Sequence, residues 1–433
     1  MALKLPPVKS SPDLPAKATV AIIGGGIVGI SAALALAERG ISVVVLEKGQ
    51  VGAEQSSRNL GWIRKTLRDP SDIPLALAAD QLWSQMAQRT GVDVGYRQNG
   101  IMFVSDADKD MEMYSSWFKA ASELSPESRL ITPDEIDQLA PGCERKWKGG
   151  LYTPTDGYAE PTLATSALAN AAIDKGAVIV ENCAVRDLAM TGGRVSGVVT
   201  EKGEVAAEHV ILASALWSRR FLGNRGISYP TLPMICYVFR TAPIEGPQGP
   251  SEIAVAGPNF SFRKHQDGGY VITHRAALGS PITLDHLLIG LRYLKTLKHA
   301  AGMIRLLIGK PFIEDLKLAR RWKATDISPF EKVRTMDPPA DEAINSEALD
   351  NIIKAWPQFA NATIEESWAG MIDITPDNNP VFGAVDKIPG LTLATGLSGH
   401  GFGTGPAAGQ LAADLATGAD PIVDPSPYRF DRL

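Results

Sequence analysis

The sequence predicts an α/β fold of two domains, the first split in sequence around the second. Three observations carry this. A β-branched run at residues 19–23, a glycine-rich turn and an Ala/Leu-rich stretch at 27–39 lead into another β-branched run at 42–46, which makes a βαβ unit. A second strand, glycine loop and helix, at 391–395, 398–404 and 407–416, lie near the end of the chain. Between them, 234–240 and 269–273 read as strands of a separate antiparallel sheet. Residues 18–37 are apolar and long enough for a membrane span, but their four glycines fall at a strand-to-helix junction and mark the βαβ unit instead.

The remaining elements follow in order. Residues 73–90 read as a helix, 100–104 as a strand, and 133–139 as a short helix begun by Thr132. A helix over 162–175 is ended by Gly176. Short strands at 178–180, 184–189, 194–200 and 204–209 form a meander with turns at Gly192-Gly193 and Lys202-Gly203, and 210–213 continues as a buried strand. This order assigns 17–95, 150–230 and 340–433 to the first domain. The second, substrate-binding domain takes 96–149 and 231–339.

Composition narrows the class. The 433 residues are 45% hydrophobic and 21% charged, which excludes a disordered, collagenous or disulfide-stapled chain. A net charge of −5 argues against nucleic acid as a partner. Cys143, Cys183 and Cys236 form no CxxC pair and read as reduced thiols. The first 17 residues hold Pro6, Pro7, Pro12 and Pro15 and no apolar stretch, so no signal peptide is expected and the location predicted is cytoplasmic. His209, His265, His274, His286, His299 and His400 show no metal-ligand spacing, and no metal is expected.

The run Gly24-Gly25-Gly26-Ile27-Val28-Gly29 satisfies GxGxxG between a strand and a helix, and Glu47 ends the next strand. Glycine there permits a tight turn and close backbone approach to a pyrophosphate, which the helix N-terminus attracts. The Glu47 carboxylate suits ribose hydroxyls and repels a 2′-phosphate. A dinucleotide site is therefore expected. Ser56, Ser57, Arg58 and Asn59 add polar groups soon after the βαβ unit, and the loop 398–404 opens a second helix N-terminus near residue 407.

These motifs, with Tyr158-Ala159-Glu160-Pro161, the run from Val210 through Ala213 to Trp217-Ser218, Trp368-Ala369-Gly370 with Thr375-Pro376-Asp377, and Gly396-Leu397-Ser398-Gly399-His400-Gly401-Phe402-Gly403, span nearly the whole chain. In that order they resemble the FAD-dependent D-amino-acid oxidase and dehydrogenase family, which includes glycine oxidase and sarcosine oxidase. The resemblance implies a Rossmann-like FAD domain and a substrate domain on an antiparallel sheet. It implies FAD contacts by Gly24, Gly26, Ile27, Val28, Gly29, Glu47, Lys48, Ser56, Ser57, Arg58, Asn59, Leu60, Gly61, Val185, Ala213, Trp217, Gly399, His400, Gly401, Phe402 and Gly403. The activity implied is oxidation of the C–N bond of an amino acid or secondary amine by hydride transfer to FAD. D-amino acids, N-alkyl amino acids and opine-like amines are the substrate classes it suggests.

The sequence departs from the family at three places. Monomeric sarcosine oxidases attach flavin through a Cys where this chain has Gly370, so non-covalent FAD is expected. Glycine oxidase carries a carboxylate-clamping Arg where this chain has Ile372. Arg64 is the first candidate to replace it, followed by Arg275, with His274 beside it as the candidate acid–base group. The oxygen-activating Lys of sarcosine oxidases falls near Val271, which favours a dehydrogenase passing electrons to a quinone or another carrier. An oxygen-using oxidase, or the flavin-bearing subunit of a heteromeric dehydrogenase, is the alternative.

Finally, no acidic residue occurs between Asp285 and Glu314, while Arg292, Lys295, Lys298, Arg305 and Lys310 do. Leu287, Leu291, Leu294, Leu297, Ala301, Ile304 and Ile308 fall on one face of a helix drawn through this stretch. Such a helix either packs on the substrate domain or rests on an anionic membrane or a partner, through 286–310.

Overall fold

The computed structural model describes residues 3–247, 249 and 252–433, without the side chains of 295 and 299–301. Two large sheets organise the chain. In the first, the strand Lys17–Ile23 runs parallel between Val43–Leu46 and Gly203–Leu212. Val178–Val180 extends one side and Leu391–Thr395 the other, both parallel. The alternation of these strands sorts their side chains onto two faces. Val20, Ile22, Val43 and Val45 pack against the Ala-rich helices Ile27–Glu38, Pro161–Asp174 and Gly401–Thr417. Ala21, Ile23, Val44 and Leu46 pack on the opposite side with Val185, Trp217 and Phe330. Parallel strands buried on both faces and crossed over by helices are the expected Rossmann-like arrangement.

The second sheet has ten strands. At its centre Leu232–Thr241 pairs antiparallel with Ile364–Ile374, from Leu232 opposite Ile374 to Thr241 opposite Ile364. Tyr270–Thr273 and Leu278–Pro281 also pair with it. The helix Glu342–Ala355 covers this sheet, burying Ala348, Ile352 and Trp356 with Phe239, Phe262 and Ile272. The antiparallel substrate-side sheet is therefore present, but with a different membership. Ile364–Ile374, expected in the first domain, is a strand of the second sheet and Glu342–Ala355 packs on it, and Gly149–Thr153 joins the same sheet. Conversely, Leu318, Trp322, Phe330, Val333 and Met336 pack on the outer face of the first sheet. Chain order does not decide this, because long-range pairing partners lie far apart in sequence.

Other elements shift locally. The helix expected over 73–90 is two, Ile73–Ser84 and Met86–Thr90, joined at Gln85. Residues 178–180 join the parallel sheet rather than the meander. The last helix begins at Gly401, ahead of Pro406, and runs through the proline at the cost of one interior hydrogen bond.

The basic stretch is not one helix. It divides into Leu284–Ile289, a tight turn Gly290–Tyr293, Leu294–Ala300, and a strand Ile304–Leu307 that pairs parallel with Leu278–Pro281. Gly290, Gly302 and Gly309 stand at or beside its breaks and weaken a continuous helix. Ile289 and Tyr293 anchor it against Leu232. Leu287, Leu291 and Ile308 are 70%, 82% and 76% exposed, so the apolar stripe does not pack on the substrate domain. The Lys295 and Ala301 side chains lie outside the described residues.

Candidate cofactor and substrate site

A cavity of about 470 Å³ runs between the two sheets. The βαβ glycines form part of its wall for a steric reason. Gly24 adopts φ +111°, and a Cβ there would stand 2.5 Å from the Ala213 carbonyl oxygen of the neighbouring strand. Gly26 opens the helix Ile27–Glu38 on the cavity with no side-chain cap of its own. Gly29 sits one turn inside, where a Cβ would collide with the Gly24 carbonyl oxygen; it shapes the turn and does not border the cavity.

Glu47 is held by two backbone donors, Gly25 N–H on Oε2 and Gly49 N–H on Oε1, each at 2.7 Å. Burial pushes its pKa up, against the opposing pull of Lys48 and of those two N–H groups. Its remaining lone pairs face a cavity that Val185, Ala213 and Trp217 also border. Lys48 is committed elsewhere: Nζ bonds Glu54 at 2.6 Å and the Val333 and Arg334 carbonyls, and lies 4.5 Å from the Trp217 ring centroid. Through it the segment around Phe330 and Arg334 closes this part of the cavity. That segment, Glu54 and Gln50 were not legible as site residues, because nothing local marks them.

The polar loop divides. Ser56 Oγ accepts from Ile27 N–H at 2.9 Å and borders the cavity, with Asn59, Leu60 and Gly61. Ser57 and Arg58 turn away. Ser57 bonds the Glu54 carbonyl, while Arg58 reaches Ala53 O at 2.9 Å, Ala369 O at 3.2 Å and Asp337, strapping the loop to the strand Ile364–Ile374.

On the second-sheet side, Gly399 through Gly403 border the cavity where the helix Gly401–Thr417 starts. No side chain caps that helix, so its first N–H groups are available to a ligand's electron-rich edge. His400 Nδ1 is buried without a partner, and burial with the nearby Arg68 and Arg64 holds the ring well below its ordinary pKa, hence neutral.

Arg64 and Arg275 converge on one ring, with their guanidinium carbons 5.6 and 5.0 Å from the Phe103 centroid. Arg64 donates to the Thr66 carbonyl and Arg275 to Gly257 O at 3.0 Å. Among the described residues neither forms an ion pair with a carboxylate, whereas the adjacent Arg68 pairs with Asp72 at 2.8 Å. Burial, with repulsion from Arg68, pulls Arg64 down to about 9, and burial lowers Arg275 as well. His274 borders the cavity, but its Nδ1 accepts from Ala276 N–H at 3.1 Å and its Nε2 stands 3.5 Å from Glu347. Burial lowers its pKa, and Nε2 has no hydrogen-bond partner among the described residues. Ile372 and Cys236 complete the wall. Cys236 lies directly across the strand pair from Gly370, a proximity invisible in sequence, and burial pushes its thiol up to about 11.

Two helix N-termini on the cavity, a backbone-held acid, an imidazole with an unpartnered nitrogen and an apolar wall fit the phosphates, ribose and ring of FAD. Among the described residues no cluster suited to a metal ion occurs.

Comparisons agree with this geometry. The family model described as "FAD dependent oxidoreductase" matches residues 19–415. Glycine oxidase of Pseudomonas putida is 26% identical over 94% of this chain and 97% of its own. The L-amino acid deaminase of Proteus myxofaciens, solved in complex with anthranilate, superposes with a TM-score of 0.93 at 32% identity, over 100% of this chain and 96% of that one. The L-amino acid deaminase of Proteus vulgaris gives 0.92 at 30%, over 98% and 100%.

Proposed function

The chain belongs to the FAD dependent oxidoreductase family and oxidises a carbon–nitrogen bond with FAD, and on that premise we propose that its substrate is an L-α-amino acid. The observation that carries the reading is the pair of half-buried guanidinium groups, Arg64 and Arg275, which border the cavity without a carboxylate ion-pair partner among the described residues. Asp156, Asp72 and Asp110 act on these cations only at a distance, so a substrate carboxylate can supply the direct ion pair that they lack. The likeness to two L-amino acid deaminases over the full chain supports the L series.

In this reading Arg64 and Arg275 hold the carboxylate, and Phe103 and Ile372 exclude water around the reacting carbon. The two positive charges also disfavour an ammonium group beside them, so the bound amine sheds its proton to water. Held between Gly24–Gly26 and the loop Gly399–Gly403, FAD would supply the acceptor for a hydride from the amine-bearing carbon, which would leave the substrate as an imine. Water then hydrolyses the imine to a 2-oxo acid and ammonia. His400 stays neutral and adds no third charge. No side chain is required as a strong base.

An anaerobic titration tests this. L-α-amino acids should bleach the flavin band while their D-enantiomers and N-methyl derivatives do not. Bleaching confined to D-amino acids or secondary amines overturns the substrate assignment.

The acceptor we propose is a membrane quinone, reached through peripheral contact of 286–310 with an anionic bilayer. Exposed Leu287, Leu291 and Ile308 beside Arg292 and Lys298 support it. No helix among the described residues is long and apolar enough to cross a membrane. Co-sedimentation with vesicles, and reoxidation by a soluble quinone faster than by oxygen, are the expected results; oxygen alone serving as acceptor would reject this part.

A further inference from the structure

A second cavity, of about 330 Å³, lies apart from the flavin site and is lined by Arg219, Arg220, Arg320, Arg321 and Asp285. We propose that it is a binding site for the phosphate headgroup of an anionic phospholipid, an assignment that rests on the membrane reading above and names the partner chemistry.

Charge points there first. Arg219 and Arg320 both bond Asp285, at 2.7 and 2.8 Å. Arg320 also bonds Asp315 at 2.8 Å, and Arg220 reaches the same carboxylate. Two carboxylates thus serve three guanidiniums. Arg321 has none, donating instead to the Gly223 and Asn224 carbonyls. The group keeps two formal positive charges in excess, and Arg219 Nε is buried with no partner. Phosphate oxygens match this donor set, because each guanidinium presents paired N–H groups in a plane.

Position supplies the second argument. Asp285 lies in the helix Leu284–Ile289, which also exposes Leu287 and Leu288. Asp315 lies in Lys310–Lys317, which exposes Ile313 and Leu316. The two carboxylates that organise the arginines therefore sit on the helices carrying the exposed apolar side chains. Acyl chains meeting those side chains would bring a headgroup phosphate to the cavity. The cations also hold the carboxylates charged: burial would raise Asp285, but Arg219 and Arg320 outweigh it and its pKa falls. The excess charge persists at neutral pH.

The test uses the FAD-loaded full chain and vesicles of phosphatidylcholine alone or with about one-third phosphatidylglycerol. Wild type should partition at least tenfold more strongly onto the anionic vesicles. The double variant Arg320→Gln/Arg321→Gln should lose most of that preference, keep its residual binding to neutral vesicles, and retain flavin content and turnover. Leu287→Ser/Leu291→Ser should weaken binding to both vesicle types. If the arginine variant binds anionic vesicles like wild type while the leucine variant does not, the headgroup site is overturned and the membrane reading stands. If wild type binds neither vesicle, both fail. If inorganic phosphate stabilises wild type against heat and the arginine variant loses this, with no vesicle preference in either, the cavity takes free phosphate and the lipid assignment is overturned.

Discussion

Arg64→Met separates a carboxylate clamp from a structural arginine, because the two roles move different observables. Arg64 is half-buried, its pKa is pulled down to about 9, and it has no carboxylate ion-pair partner among the described residues. Its own bonds are few: the Thr66 carbonyl and a contact with the Phe103 ring. Met retains much of the apolar stem against that ring and gives up a cation–π contact of about 0.5–2 kcal/mol. Removing the charge also ends its desolvation and its repulsion from Arg68 and Arg275, so unfolding stability should hold or rise. Catalysis should behave oppositely. Truncating one partner of a buried charge pair costs about 2–5 kcal/mol, which converts to a loss in kcat/KM of roughly 30-fold to several thousand-fold. Most of it should appear in KM, since the carboxylate contact precedes the chemical step. The assay is steady-state turnover with an artificial acceptor, beside urea unfolding of the same preparation. If KM stays within twofold for both Arg64→Met and Arg275→Met, the clamp is refuted; if stability collapses with activity, Arg64 is structural.

Three further outcomes follow from the same geometry. The kcat/KM profile should fall as pH rises through about 9, because Arg64 is cationic below that value and its attraction is lost above it; the limb should vanish in Arg64→Met, and a limb that persists unchanged points to another group. Gly29→Ala places a methyl against the Gly24 carbonyl, and overpacking of this kind costs about 1–3 kcal/mol; the purified variant should show a markedly lowered ratio of flavin to protein absorbance, and a normal ratio would contradict the turn geometry. Glu160→Gln breaks a fully buried pair in which both Arg263 terminal nitrogens lie 2.8 Å from the carboxylate. Burial raises the Glu160 pKa, yet Arg263 and His265 outweigh it and hold it below the ordinary range, so this stabilisation is present at neutral pH and is lost as acid protonates the carboxylate. Urea unfolding at pH 7 should show a loss of about 3–5 kcal/mol, and a change under 1 kcal/mol would contradict the pair's role.

Where the determinants are local, the sequence is readable. The positive φ at Gly24 and the clash of a Gly29 Cβ with the Gly24 carbonyl act within one turn, and Glu47 is one strand away, so motif spacing locates them and names a dinucleotide. Val20 through Ile23 and Val43 through Leu46 announce a parallel sheet by being apolar on both faces. The loop 56–61 is equally visible, but not its internal division: whether Arg58 faces a ligand or Asp337 depends on a segment nearly 280 residues away. Pro406 misleads about the last helix because the proline penalty is local, while the packing that overrides it is not.

The α/β class, the FAD fingerprint and the family are readable from the residues alone, since each rests on short-range geometry or on motifs kept in order. Long-range pairing sets what no motif reveals: Ile364–Ile374 enters the second sheet, Arg64 and Arg275 meet on Phe103, and Cys236 stands across from Gly370. It also leaves the basic stretch as a broken, exposed surface beside an arginine cavity rather than one packed helix. The physical reason is the same in each case. Strand pairing and burial bring together residues separated by tens to hundreds of positions, and the cost of leaving a charge or an apolar side chain without a partner is set by those distant neighbours.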